Sequence, residues 1–131
     1  MKGSCLCGSI EYEISKFETE IVHCHCKTCR KAHSAAFNTT AGVKPESFKW
    51  VKGEENLSGF ESSPGKVRYF CSKCGTHLIA KKQGAPFWVL RLGSLDDDPK
   101  QKPTTSIWMK HHEPWMDFSH DHKVFSEWTD K

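Results

Sequence analysis

Seven cysteines fall into three tight clusters, and that spacing points to metal chemistry. Cys5 and Cys7 form C-x-C, Cys24, Cys26 and Cys29 form C-x-C-x-x-C, and Cys71 and Cys74 form C-x-x-C. Two pairs can close one tetrahedral four-thiolate zinc site, which leaves no position for a reactant. The triplet supplies three ligands and leaves a fourth position open. Closed sites of this kind are structural and open ones catalytic. Cys5, Cys7, Cys71 and Cys74 are therefore the candidate structural set, and Cys24, Cys26 and Cys29 the candidate catalytic ligands.

Each assignment has an alternative. Gly8 follows the first pair and Gly75 the last, and predicted strands flank both. That favours one shared site over two separate arrangements. At the triplet, His33 stands at ordinary ligand spacing from Cys29 and could complete a second, fully protein-ligated site. Three thiolates on a divalent ion leave a formal charge of 2 − 3 = −1, and a buried charge needs compensation. Lys27, Arg30 and Lys31 lie beside the ligands and can supply it. Arg30 and Lys31 are equally candidates to clamp a carboxylate of a bound thiol, Arg30 in bidentate fashion.

The whole chain narrows the field further. At 131 residues one domain spanning 1–131 is expected, with a thin core that a metal would help to hold. A formal charge of +3, with Lys and Arg scattered along the chain, lacks the basic stripe of a nucleic-acid binder. No apolar run is long enough to span a bilayer. Met1-Lys2-Gly3 leads straight into Cys5, with no space for a signal peptide, so a cytoplasmic location is expected. Thiols stay reduced there, which favours metal over disulfides. The odd cysteine count and the C-x-C spacing argue the same way, because neighbouring strand side chains point to opposite faces.

Short strands must position these ligands. Ile10, Tyr12 and Ile14 alternate with Glu11 and Glu13, the pattern of a half-buried strand. Further strands are predicted at Ile21-Val22, 35–41, 48–51, 67–70, 77–81, 87–92 and 105–109, split by Gly, Pro, Ser and Asp. One helical turn is predicted at 27–32, inside the triplet. The fold class is therefore all-β. Asp96-Asp97-Asp98-Pro99 lacks the spaced ligands of a calcium loop and reads as a solvated turn. His111, His112, His120 and His122 lie in a polar stretch and are expected to be exposed.

Three segments carry a resemblance. Gly3-Ser4-Cys5-Leu6-Cys7-Gly8-Ser9-Ile10-Glu11-Tyr12 resembles an opening G-x-C-x-C-G-x-[VI]-x-[YF] segment. Cys24-His25-Cys26-Lys27-Thr28-Cys29-Arg30-Lys31 resembles C-x-C-x-x-C-R-[RK], and Arg68-Tyr69-Phe70-Cys71-Ser72-Lys73-Cys74-Gly75-Thr76 resembles R-x-F-C-x-x-C-G-[ST]. Gly93-Ser94-Leu95-Asp96-Asp97 and Glu113-Pro114-Trp115 are similar to weaker later signatures. Together they resemble the glutathione-dependent formaldehyde-activating enzymes, a family that shares its domain with centromere protein V. Ser34 departs from the pattern, since the family usually has glycine there.

The resemblance implies a Mss4-like fold of short antiparallel sheets stapled by zinc. It implies a structural zinc on Cys5, Cys7, Cys71 and Cys74, and a second zinc on Cys24, Cys26 and Cys29 that meets the glutathione thiol. The implied activity is that of a carbon–sulfur lyase, similar to S-(hydroxymethyl)glutathione synthase, with a small thiol and an aldehyde as partners. The rivals are a non-enzymatic zinc module for protein or nucleic acid, and a passive glutathione carrier.

Overall fold

The computed structural model describes residues 1–116 and 122–128. Its strands, in chain order, are β1 (Lys2–Ser4), β2 (Glu11–Ile14), β3 (Val22–Cys24), β4 (Asn38–Val43), β5 (Phe48–Lys52), β6 (Leu57–Ser63), β7 (Lys66–Cys71), β8 (His77–Lys82), β9 (Trp88–Arg91) and β10 (Thr105–Ile107). One α-helix lies among the described residues, α1 (Lys27–His33). The strands form a three-stranded sheet in the order β1-β2-β5 and a seven-stranded sheet in the order β10-β3-β4-β9-β8-β7-β6. Neighbours pair antiparallel except β10 and β3, which run parallel. The architecture is all-β, as read from the sequence, with that one parallel edge as an exception.

The alternation in β2 builds the core. Ile10, Tyr12 and Ile14 are almost fully buried, and they cluster with Val43, Leu78, Ile79 and Leu90 from the larger sheet. Burying these branched side chains is the main favourable term, about 1.5–3 kcal/mol for each. The Tyr12 ring stacks on Phe48 at 5.1 Å, and its hydroxyl shares a 2.6 Å hydrogen bond with Ser94. Gly3 faces Tyr12 across the β1–β2 pair, and a Cβ there would fall inside the ring. Glycine is thus required where the edge strand crosses the aromatic side chain.

Several predicted boundaries shift. The strand expected at 35–41 begins at Asn38, because α1 runs to His33 and Ser34 caps it. The strand expected to reach 109 ends at Ile107, where Trp108 turns to φ +61°. Strands β1 and β6 have no clear alternation and were not legible in the pattern. Asp96 and Asp97 are exposed as expected but also tie down β1: Asp97 accepts from the Lys2 backbone N–H at 2.7 Å and Asp96 from Ser4 Oγ at 2.8 Å. His112 and His122 are exposed, His111 is half-buried, and His120 lies outside the described residues.

The departure at Ser34 has a backbone explanation. Ser34 is the C-cap of α1 at φ +49° and ψ +46°, where its N–H reaches the Arg30 carbonyl. Glycine adopts this left-handed conformation without steric cost, whereas other residues are strained by about 1–2 kcal/mol. Ser34 is exposed, so no packing is lost on substitution. Ser34→Gly should stabilise the protein by about 1 kcal/mol and raise its melting temperature by about 4 °C. Thermal denaturation checks this, and an unchanged or lower midpoint would refute it.

Candidate metal centre

The fold brings the two outer cysteine pairs together. Cys5 follows β1, Cys71 ends β7, and Cys74 lies in the turn before β8. All four sulfur atoms lie within 4.8 Å of one another. Cys7 and Cys71, 64 residues apart in sequence, have Sγ atoms 3.8 Å apart, and Cys5 and Cys7 are 3.6 Å apart. Bonds of 2.3 Å to a tetrahedral zinc would place thiolates about 3.8 Å apart, so these separations fit that ion. Backbone N–H groups aim at the sulfurs: Ile10 donates to Cys5 at 3.3 Å and Lys73 to Cys71 at 3.4 Å. Cys5 and Cys71 are buried and belong to the hydrophobic core cluster. A metal here would join the N-terminal hairpin to the β7–β8 turn.

The triplet wraps the junction of a strand and a helix. Cys24 ends β3, Cys26 is the N-cap of α1, and Cys29 is the buried residue of its first turn. The Cys26 sulfur accepts the Cys29 backbone N–H at 3.2 Å, so the helix start is capped by a thiol. The three sulfurs lie within 4.8 Å of one another, and no fourth ligand atom of this chain joins them among the described residues. A soft three-thiolate donor set suits zinc. His33 is not part of the group. Its ring faces His77 at 4.7 Å, and burial, with Arg91, His77 and Arg68 nearby, pushes its pKa down to about 3.

Charge compensation comes from residues that sequence reasoning missed. Arg68 and Arg91 are 2% and 4% exposed. Arg68 Nη2 donates to Cys29 Sγ at 3.8 Å, and its Nε donates to Ser62 Oγ at 2.9 Å. The hydrogen bond shared with Cys24, the contact from Cys26 and the nearby Arg68 hold the Cys29 thiol down at about 4. The same Cys24–Cys29 hydrogen bond, at 3.4 Å, pushes the Cys24 thiol up, as does its burial. Arg91 is lowered to about 10 by burial and by Arg68, against the pull of the three thiols. Two guanidiniums in a dry interior are costly unless an anion faces them, and the lowered Cys29 thiol supplies one. The available signal was Arg68 itself, an arginine between apolar neighbours on a strand.

The basic residues beside the triplet in sequence sit differently. Arg30 forms an ion pair with Glu113, while Lys27 and Lys31 are exposed on α1. Lys27, Thr28, Lys31 and Ala32 form one wall of a cleft of about 610 Å³, and Phe60, Ser62, Arg68, Phe70 and His77 form the other. Arg68 connects this cleft to the Cys29 thiol.

The model of the family described as "Glutathione-dependent formaldehyde-activating enzyme" matches residues 1–111. The chain belongs to this family. A Podospora anserina member named "Putative glutathione-dependent formaldehyde-activating enzyme" is 31% identical over 90 residues, covering 66% of this chain and 42% of that protein. An Aspergillus oryzae protein of the same name is 26% identical over 80 residues, covering 59% and 41%. The chain thus spans less than half the length of these relatives. A Rhodobacter sphaeroides protein of known crystal structure shares the fold, with a TM-score of 0.65 at 22% identity, covering 81% of this chain and 99% of that one. Among the described residues, no helix of this family member is long and apolar enough to cross a membrane.

Two expectations follow from the geometry. Cys71→Ser should yield insoluble protein or a much lower melting temperature, since it removes a ligand from the core. Cys26→Ser, at the helix cap, should stay folded but lose about one metal ion per chain. Equal damage from both, measured by thermal melting and metal analysis, would refute the division of roles. For the buried arginine, Arg68→Met should weaken metal binding at the triplet by about 10–100-fold, with partial recovery in Arg68→Lys. Competition with a chromophoric chelator reads this directly, and wild-type affinity in Arg68→Met would rule out charge compensation.

Proposed function

We propose that this protein joins a small thiol, glutathione, to an aldehyde such as formaldehyde, or runs that step in reverse, as a carbon–sulfur lyase or synthase. One observation carries the reading. Three thiols converge at the start of α1 without a fourth ligand from the described residues, and Arg68, which contacts Cys29, lines a cleft next to that helix. The family and the names of its curated relatives support the same chemistry. Two zinc ions are proposed, one on Cys5, Cys7, Cys71 and Cys74 for folding and one on the triplet for chemistry. Cys24, Cys26 and Cys29 would hold the second ion, which would supply Lewis-acid stabilisation of a small thiol's sulfur.

The chain's own residues do the rest. Cys24, Cys26 and Cys29 hold the site, and Arg68 and Arg91 offset its negative charge. Lys31 stands exposed at the cleft mouth, where it can meet a glutathione carboxylate. Arg30 would have to share its guanidinium between Glu113 and that carboxylate. The thiol sulfur adds to the carbonyl carbon and forms the C–S bond. The C=O π pair moves to oxygen, which takes a proton from solvent, and the product is a hemithioacetal. His33 is held neutral by burial and its cationic neighbours, so water is the better proton source. Clustered reduced thiols fit a cytoplasmic setting.

Turnover of formaldehyde with glutathione above the spontaneous rate tests the activity. A cobalt-substituted protein tests the site: added glutathione should change the metal absorption in wild type, and Cys26→Ser should abolish the response. A silent wild-type spectrum with no turnover would leave a passive zinc module as the better reading.

A further inference from the structure

The cleft beside the thiols has a character that a one-carbon aldehyde does not use. On α1, Lys27, Thr28, Lys31 and Ala32 recur at one and three or four residues, so they share a face. On the sheet, Phe60 and Ser62 alternate along β6, and Arg68 and Phe70 along β7. Phe60 pairs with Arg68 across the strands, and Phe70 pairs with His77. Irregularities at 61–63 and at 69–70 interrupt the regular alternation, and Phe60, Ser62, Arg68, Phe70 and His77 all line the cleft opposite the helix residues. Phe60 is 66% exposed, although a large aromatic side chain is costly to leave in water.

Size points the same way. The cleft holds about 610 Å³. Formaldehyde is little larger than water, whose share of liquid volume is about 30 Å³. Glutathione's peptide and carboxylate groups find no partners on Phe60, Phe70 or Ala32, and desolvating them there would cost free energy. Lys27 and Lys31 at the mouth suit anionic groups instead.

We propose that this cleft is the subsite for the aldehyde-derived group of the adduct, and that the group is an aliphatic or aromatic chain of several carbons. The inference rests on the thiol-plus-aldehyde reading above and specifies its substrate class. Arg68 places the reaction at the inner end. It is 2% exposed, lines the cleft and contacts Cys29, and its Nη1 has no hydrogen-bond partner among the described residues. As sulfur attacks the carbonyl carbon, the C=O π pair moves to oxygen and Arg68 donates a hydrogen bond to that oxygen. Arg68 keeps its proton, and water supplies the one that completes the hydroxyl. The carbon chain then extends between Phe60 and Phe70.

Calorimetric titration of the metal-loaded protein with S-methylglutathione and S-hexylglutathione tests the subsite through thioethers that undergo no turnover. Each buried methylene should strengthen binding by up to about fourfold, so the hexyl compound should bind at least about tenfold tighter. Phe60→Asp, a substitution at an exposed position, should bring the hexyl affinity down to the methyl value. Equal affinities for the two thioethers, no binding by either, or an undiminished hexyl preference in Phe60→Asp would each overturn the proposal. Formaldehyde turnover in the same preparation separates the two readings: turnover with equal thioether affinities removes the apolar subsite alone.

Discussion

The contact between Arg68 and Cys29 is the constraint from which most of this structure follows. A cluster of thiols gains negative charge as it binds metal, and a dry interior tolerates that charge only beside fixed cations. Lysines on a solvated helix face would be screened and mobile. A guanidinium held within a sheet is neither, because the strand backbone fixes its position. Arg68 lies on β7, paired on both sides by β6 and β8, and Cys29 is the buried residue of α1 that meets it.

Strand β7 meets this requirement and a second one. It carries Arg68 beneath the triplet and ends at Cys71 in the closed cluster. Both residues are buried, and the core packs around Cys71. A metal in the closed cluster would hold the end of β7, and so the register that presents Arg68. The two sites are thus mechanically related, although their ligands are separate. Pairing of β7 with β6 and β8 also sets Phe60 and Phe70 on the cleft side. The site's charge and the shape of the cleft come from one piece of strand geometry.

Ion pairing at the rim completes the arrangement. Glu113 holds Arg30 from a segment beyond β10, while Lys31, one residue on, remains at the cleft mouth. The helix thus turns one cation toward a protein carboxylate and the next toward solvent. Such a division leaves one cation tied to the fold and the next exposed at the cleft.

Local chemistry was legible in the residue pattern. Cysteine spacing is a short-range property, so both ligand sets could be grouped before any fold was known, and the alternation of Ile10, Tyr12 and Ile14 marked a core-facing strand. Strands β1 and β6 escaped because edge strands carry little alternation, and the parallel pairing of β10 with β3 depends on distant segments. The partners of the triplet were also hidden. Sequence proximity favoured Lys27, Arg30 and Lys31 as the balancing charges, whereas strand register brought in Arg68 and Arg91 from 39 or more residues beyond Cys29. His33 had ligand spacing, yet the left-handed turn at Ser34 and the contact with His77 leave its ring outside the sulfur cluster. The grouping of candidate ligands is written in local spacing, but the surrounding charges and the cleft shape depend on contacts between remote strands, which only tertiary packing decides.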